Sequence, residues 1–139
     1  MRTKKSPHLA LVCLGILIFA GLGWAKTYHF AATKIDPSAM GDVDLSKDKN
    51  GNTNVSLRVE HVARPAMLTP PANLYVVWFQ EPGSEPDNEG QLQVGNDLRG
   101  QLKTTTPLRN FDIFVTAETD PTVKTPSDQK IMTVTVHEQ

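Results

Sequence analysis

The chain has one cysteine, Cys13, and it lies in an apolar stretch near the start. A disulfide needs two cysteines and a thiolate zinc site needs several, so neither can staple the sequence that follows. Histidine is also scarce. His29, His61 and His137 are the only ones beyond that stretch, none stands in a His-x-x-x-His spacing, and no Gly-x-Ser-x-Gly elbow occurs. The local signatures of helical zinc proteases and of serine hydrolases are therefore missing. No catalytic residue, metal ligand or cofactor-binding motif is singled out, and the reading is of a non-enzyme. An excess of positive charge is missing too, with 14 lysines and arginines against 15 aspartates and glutamates. Neutralising phosphates takes a concentrated basic face, so nucleic acid is not an expected partner. Apolar residues at helical spacing over any long stretch are the last absence, and this argues against a helical domain.

What is present begins with Arg2, Lys4 and Lys5, followed by an uncharged apolar run at residues 9–25 (LALVCLGILIFAGLGWA) and then by polar sequence. This is the layout of a secretory signal, with Gly23-Trp24-Ala25 as the cleavage site. An uncleaved membrane anchor is the alternative, because 17 apolar residues reach the lower limit for spanning a bilayer. Val12, where a small residue is expected, speaks against lipidation at Cys13. Residues 1–25 are thus expected to be a signal peptide or anchor, and residues 26–139 one domain outside the cytoplasm, periplasmic or secreted. On either reading the membrane is touched only through the N-terminal segment. Without Arg2, Lys4 and Lys5 the balance becomes 11 basic against 15 acidic residues, a mildly acidic domain.

Beyond residue 25 the apolar spacing is two. Val55, Leu57 and Val59 alternate with Ser56, Arg58 and Glu60; Phe111, Ile113, Val115 and Ala117 alternate with Asp112, Thr116 and Glu118; Met132, Val134 and Val136 close the series. Each run predicts a strand with one wet face. Phe114 falls on the wet side and is expected under a loop or an edge. Residues 74–80 (LYVVWFQ) are apolar on both parities, as in a strand covered on both faces. Residues 26–35, with Tyr28, Phe30 and Ala32 on one face, residues 90–95 and residues 97–104 complete seven expected strands. Short helical turns are expected only near residues 38–43. Asn50-Gly51, Arg64-Pro65, Thr69-Pro70-Pro71, residues 81–89, Asp120-Pro121 and Thr125-Pro126 supply the breaks. The fold class expected is all-β, an antiparallel Greek-key β-sandwich of immunoglobulin-like type.

Three features invite a functional reading. Asp48, Asn50 and Asn52, with Asp42 and Asp44 nearby, resemble the start of a calcium loop, but Thr53 replaces the glycine at the sixth position and Glu60 comes one residue late for the last ligand. A solvated Asn-Gly turn is the preferred reading. Trp78 reads as a core filler rather than a ligand platform. Glu81, Glu85, Asp87 and Glu89 form the most exposed-looking charge cluster, a solvated loop by default and a rim for a basic partner as the functional alternative.

Tyr75-Val76-Val77-Trp78-Phe79, Pro82-Gly83, Gly90 before Gln-Leu-Gln-Val, Phe111 to Glu118 ending Thr-Ala-Glu, then Pro121 and Pro126-Ser127 form an ordered set. In that order they resemble the extracytoplasmic C-terminal domain of anti-sigma factors of the anti-sigma-K type. The resemblance implies a small β-sandwich at a bacterial envelope with a protein-binding or sensing role. Those factors hold their sigma factor with a cytoplasmic helical domain, and only eight residues precede the apolar run here, so sigma sequestration is not expected. The function expected is binding of an envelope or secreted protein. A structural component that pairs edge strands and a small-ligand-binding domain are the alternatives.

Overall fold

Residues 25–138 are described by a computed structural model, and the signal-peptide expectation for residues 1–25 lies outside them except for Ala25. The alternation read from the sequence is realised as burial. In β4 (Thr53–Glu60), Thr53, Val55, Leu57 and Val59 are buried while the residues between them reach water. The described residues form nine strands: β1 (Ala25–His29), β2 (Ala31–Ala32), β3 (Met40–Lys47), β4, β5 (Leu74–Gln80), β6 (Asp87–Val94), β7 (Gly100–Thr106), β8 (Asn110–Glu118) and β9 (Lys130–His137). Among the described residues the only helical element is a 3₁₀ turn at Pro65–Met67. No described helix is long and apolar enough to cross a membrane.

The expected count of seven strands is corrected at two places. Residues 26–35 do not make one strand: the chain kinks at Phe30, β1 pairs with β3, and the two-residue β2 pairs with β9. Ala32 is consequently exposed. The helical turns expected near residues 38–43 give way to β3, in which buried Val43 and Leu45 alternate with Asp42, Asp44 and Ser46. β3 is hydrogen-bonded on both sides, by β1 and by β4, and a ladder on each flank outweighs the turn-forming tendency of Gly41 and the aspartates. Glycine is needed at position 41 for space, since a Cβ there would lie 2.9 Å from the Phe30 ring and 3.1 Å from the Arg58 carbonyl oxygen.

All neighbours are antiparallel, in the order β1-β3-β4-β7-β6-β5-β8-β9-β2. Two strands adjacent in sequence therefore sit at opposite edges, and the sheet curls until it nearly closes like a barrel. The Tyr28 hydroxyl ties the edges by donating to the His137 carbonyl at 2.7 Å. Inward side chains from β3, β4, β5, β6, β8 and β9 meet in one core, with the Phe79 and Phe111 rings 5.0 Å apart. Val62, Leu68 and Ala72 of the connection after β4 plug one end of it. Tyr75 donates to the Ala63 carbonyl at 2.7 Å and Asp36 accepts from the Ala63 amide at 2.8 Å, which pins that connection. Burial, with Asp36 adding negative charge, pushes the Tyr75 phenol far above its ordinary range.

Between the longer strands the sheet is thinnest at β6 and β7, where only Gln93↔Gln101 and Val94↔Gly100 pair. At Gly100 an added Cβ would meet the Gln93 carbonyl oxygen at 2.6 Å and Val94 and Val59 methyls at 3.2 and 3.3 Å. Backbone cannot swing aside as a side chain can. Gly100→Ala is expected to destabilise the fold by about 1–3 kcal/mol through overpacking, read as a lower urea midpoint, whereas Gly51→Ala meets no atom and acts only through its positive φ of 81°. Equal midpoints for wild type and Gly100→Ala would contradict this account of the junction.

Candidate interaction surface

β5 is covered on both faces, as the mixed apolar run predicts. Tyr75, Val77 and Phe79 join the main core, while Val76 and Trp78 pack with Phe114 in a second cluster on the opposite face. Residues 119–129, between β8 and β9, cross over this cluster with Val123 against it. The Trp78 indole N–H donates to the Thr116 hydroxyl at 2.8 Å, and that hydroxyl donates to the Glu118 carboxylate at 2.6 Å. Glu118 also accepts the Ser127 amide at 2.7 Å. Lys130 lies 4.1 Å from the centre of the Phe114 ring. Trp78 is a fully buried filler and offers no ligand platform, and Phe114, on the wet parity, is sheltered by this loop.

Strand directions sort the connections into two ends. One end carries the plugging connection, the β6–β7 turn and the exposed side chains of Met40 and Met67. His61 and Leu98 there are non-glycine residues with φ of 55° and 60°, and the Val62 amide donates to the Leu98 carbonyl between them. The opposite end carries Ala25, the β3–β4 turn and the β5–β6 loop. The chain thus enters the domain at the end that holds the acidic loop.

In the β3–β4 turn the Asp48 carboxylate accepts the Asn50 and Asn52 amides at 2.8 and 2.9 Å, with Gly51 in the left-handed region. One Asp48 oxygen thus closes the turn locally, the Asx geometry expected of an Asn-Gly hairpin. Among the described residues no group of three or more His, Cys, Asp or Glu side chains converges as metal ligands would. On the outer face of β1, β3 and β4, His29 pairs with Asp42, and Arg58 donates to Asp44 at 2.7 Å. Beside them His29, Phe30, Met40, Asp42, Arg58 and Glu60 line an open hollow of about 490 Å³.

Of the four predicted acidic residues, Glu81 and Glu85 stand exposed in the β5–β6 loop, and Asp87 is the exposed first residue of β6. The loop is held by the Gln80 side chain, which donates to the Ser84 carbonyl at 2.8 Å. Glu89 differs. The β5–β6 register slips between Val77 and Trp78, leaving Glu89 as the extra residue of a bulge followed by Gly90 at φ 120°. The bulge turns its side chain towards β7 and half-buries it. Burial, then the charge of Asp87, hold the Glu89 carboxyl above its ordinary range, and a hydrogen bond with the Thr104 side chain acts in the opposite direction. Among the described residues none of the four takes part in an ion pair. The charge cluster was legible in the sequence. The bulge that splits it into an exposed part and an inward part had only Gly90 as its signal.

Compared with protein-family models and with curated proteins, the chain matches none.

Proposed function

We propose that this is an exported, non-enzymatic domain that binds a protein partner at the bacterial cell envelope, in the manner of the outer domain of the anti-sigma factors its sequence resembles. Four carboxylates in one hairpin with no counter-ion among the described residues carry the reading. Such charges raise encounter rates and favour a basic surface. The fold reading that goes with it is a Greek-key sandwich of immunoglobulin-like type. It is supported by the order β4-β7-β6-β5, in which three hairpin-linked strands are joined by a fourth that reaches its place through a long connection. Loops at the ends of such sandwiches are common binding surfaces.

Photo-crosslinking in intact cells tests this. A tagged full-length chain carrying a photoreactive residue at Glu85 is expected to trap a discrete protein adduct. Absence of any adduct from position 85, and equally from the exposed positions Met67 and Lys103 on other parts of the surface, would overturn the reading. The second reading, a component of a surface assembly built by edge pairing, is favoured by the exposed edge of β7. Ordered oligomers of the purified chain would support it, and a monomer at all concentrations would count against it.

A further inference from the structure

β7 is seven residues long and pairs with β4 throughout, yet β6 covers only Gly100 and Gln101 on its other side. Alternation decides what is left bare. The Gly95 amide donates to the Arg99 carbonyl at 2.9 Å and Gln93 faces Gln101 next, so odd-numbered residues of β7 aim their peptide groups at β6 and even-numbered ones at β4. Lys103 and Thr105 continue the odd series, and among the described residues no strand meets them there. From Leu92 back towards its start β6 pairs with β5 instead, at Tyr75↔Leu92 and Val76↔Gln91, with the bulge at Glu89 further along. Their two N–H and two C=O groups form an open edge, and residues 102–106 run for about 17 Å at the usual rise.

We propose that this edge, residues 102–106, accepts an extended segment of a protein partner as an added antiparallel strand, with lysine or arginine on the side chains that face Asp87 and Glu89. This rests on the protein-binding reading above and states its route. Main-chain bonds supply affinity in such additions, and alternate side chains supply selectivity. On the outer face the incoming strand passes Lys103 and Thr105, which are exposed. On the inner face it passes Thr104 and the Glu89 carboxylate, where two neighbouring acids repel each other and no cation among the described residues answers them. A basic side chain at that position relieves the repulsion. A second copy of this chain paired through its own β7 fits badly. Pairing two β7 edges would gather Asp87 and Glu89 of both copies along one seam, and like charges there oppose it.

The probe is a capped ten-residue peptide alternating threonine and lysine, with a threonine–glutamate peptide as control, added to the full-length chain and followed by amide hydrogen exchange. Exchange at Lys103 and Thr105 is expected to slow about tenfold or more with the lysine peptide, while Leu102 and Thr104, already bonded to β4, stay as they were. Thr105→Pro removes an amide that makes no ladder bond and should abolish the protection, with the melting temperature lowered only by the loss of the exposed Thr105 hydroxyl bond to Asn54. Asp87→Asn with Glu89→Gln should weaken the peptide about tenfold, and this pair carries the test if the proline variant does not fold. Unchanged exchange at Lys103 and Thr105, or equal protection by the glutamate peptide, overturns the proposal. A protein adduct trapped from position 85 alongside such a result would leave the binding reading standing and remove only this edge.

Discussion

Replacing Trp78 with alanine is expected to lower the unfolding free energy by about 3–5 kcal/mol, the range for a buried large aromatic. Among the described residues the second cluster contains only Val76, Trp78 and Phe114 as buried members, with Leu74 and Val123 at its margin, so little can collapse into the space left behind. The loss includes the near-parallel packing on Phe114, with ring centres 6.4 Å apart and planes 14° from parallel, and the indole bond to Thr116. Trp78→Phe separates these contributions. It keeps most of the volume, removes the donor, and should cost closer to 1 kcal/mol from the hydrogen bond. For a domain of ordinary stability, about 5–15 kcal/mol, the alanine variant takes a large share of the total. Urea unfolding followed by circular dichroism measures both variants, and a Trp78→Ala loss below about 1 kcal/mol would mean that this cluster is not packed as described.

Glu118→Ala is expected to cost about 2–4 kcal/mol, because it orphans two donors at once where each costs roughly 1–3. The carboxylate is 6% exposed and accepts both the Thr116 hydroxyl and the Ser127 amide. The Ser127 hydroxyl adds a bond of 2.7 Å to the Ala117 carbonyl, and the Asn88 side chain holds the Pro121 and Val123 carbonyls at 2.9 and 2.8 Å. Residues 119–129 are therefore held over Trp78 mostly by polar ties and by a single apolar side chain, Val123. Removing the strongest of these ties should free the loop before it unfolds the domain. Trypsin is expected to cut after Lys124, which is exposed, several-fold faster in Glu118→Ala than in the wild type. Glu118→Gln retains one acceptor oxygen and should fall between them. Identical cleavage rates for Glu118→Ala and wild type would show that the loop is secured by something else.

The strands richest in alternating apolar residues were readable because burial on one face needs only a period of two. β4, β5, β8 and β9 lie where that pattern places them, and so does the tight turn at Asn50-Gly51. β3 was hidden because its aspartates and Gly41 carry turn chemistry, although Val43 and Leu45 alternate correctly between them. Its strand state comes from β1 and β4, one of them distant in the chain. β1 and β2 were merged for a related reason: the kink at Phe30 exists only because the two halves of that segment find partners on opposite edges.

The candidate site divides along the same line. Four acids within nine residues mark a charged hairpin in any fold, so Glu81, Glu85, Asp87 and Glu89 could be named from the chain by itself. That Glu89 turns inward against Thr104 follows from a bulge, which is a property of two paired strands. The bare edge at Lys103 and Thr105 was invisible for a deeper reason. Side-chain pattern records which face each residue turns to water, and that much the chain determines locally. Which peptide groups are left without a neighbour depends on where β6 leaves β7, and only the folded sheet, through the point at which β6 gives up β7 for β5, decides that.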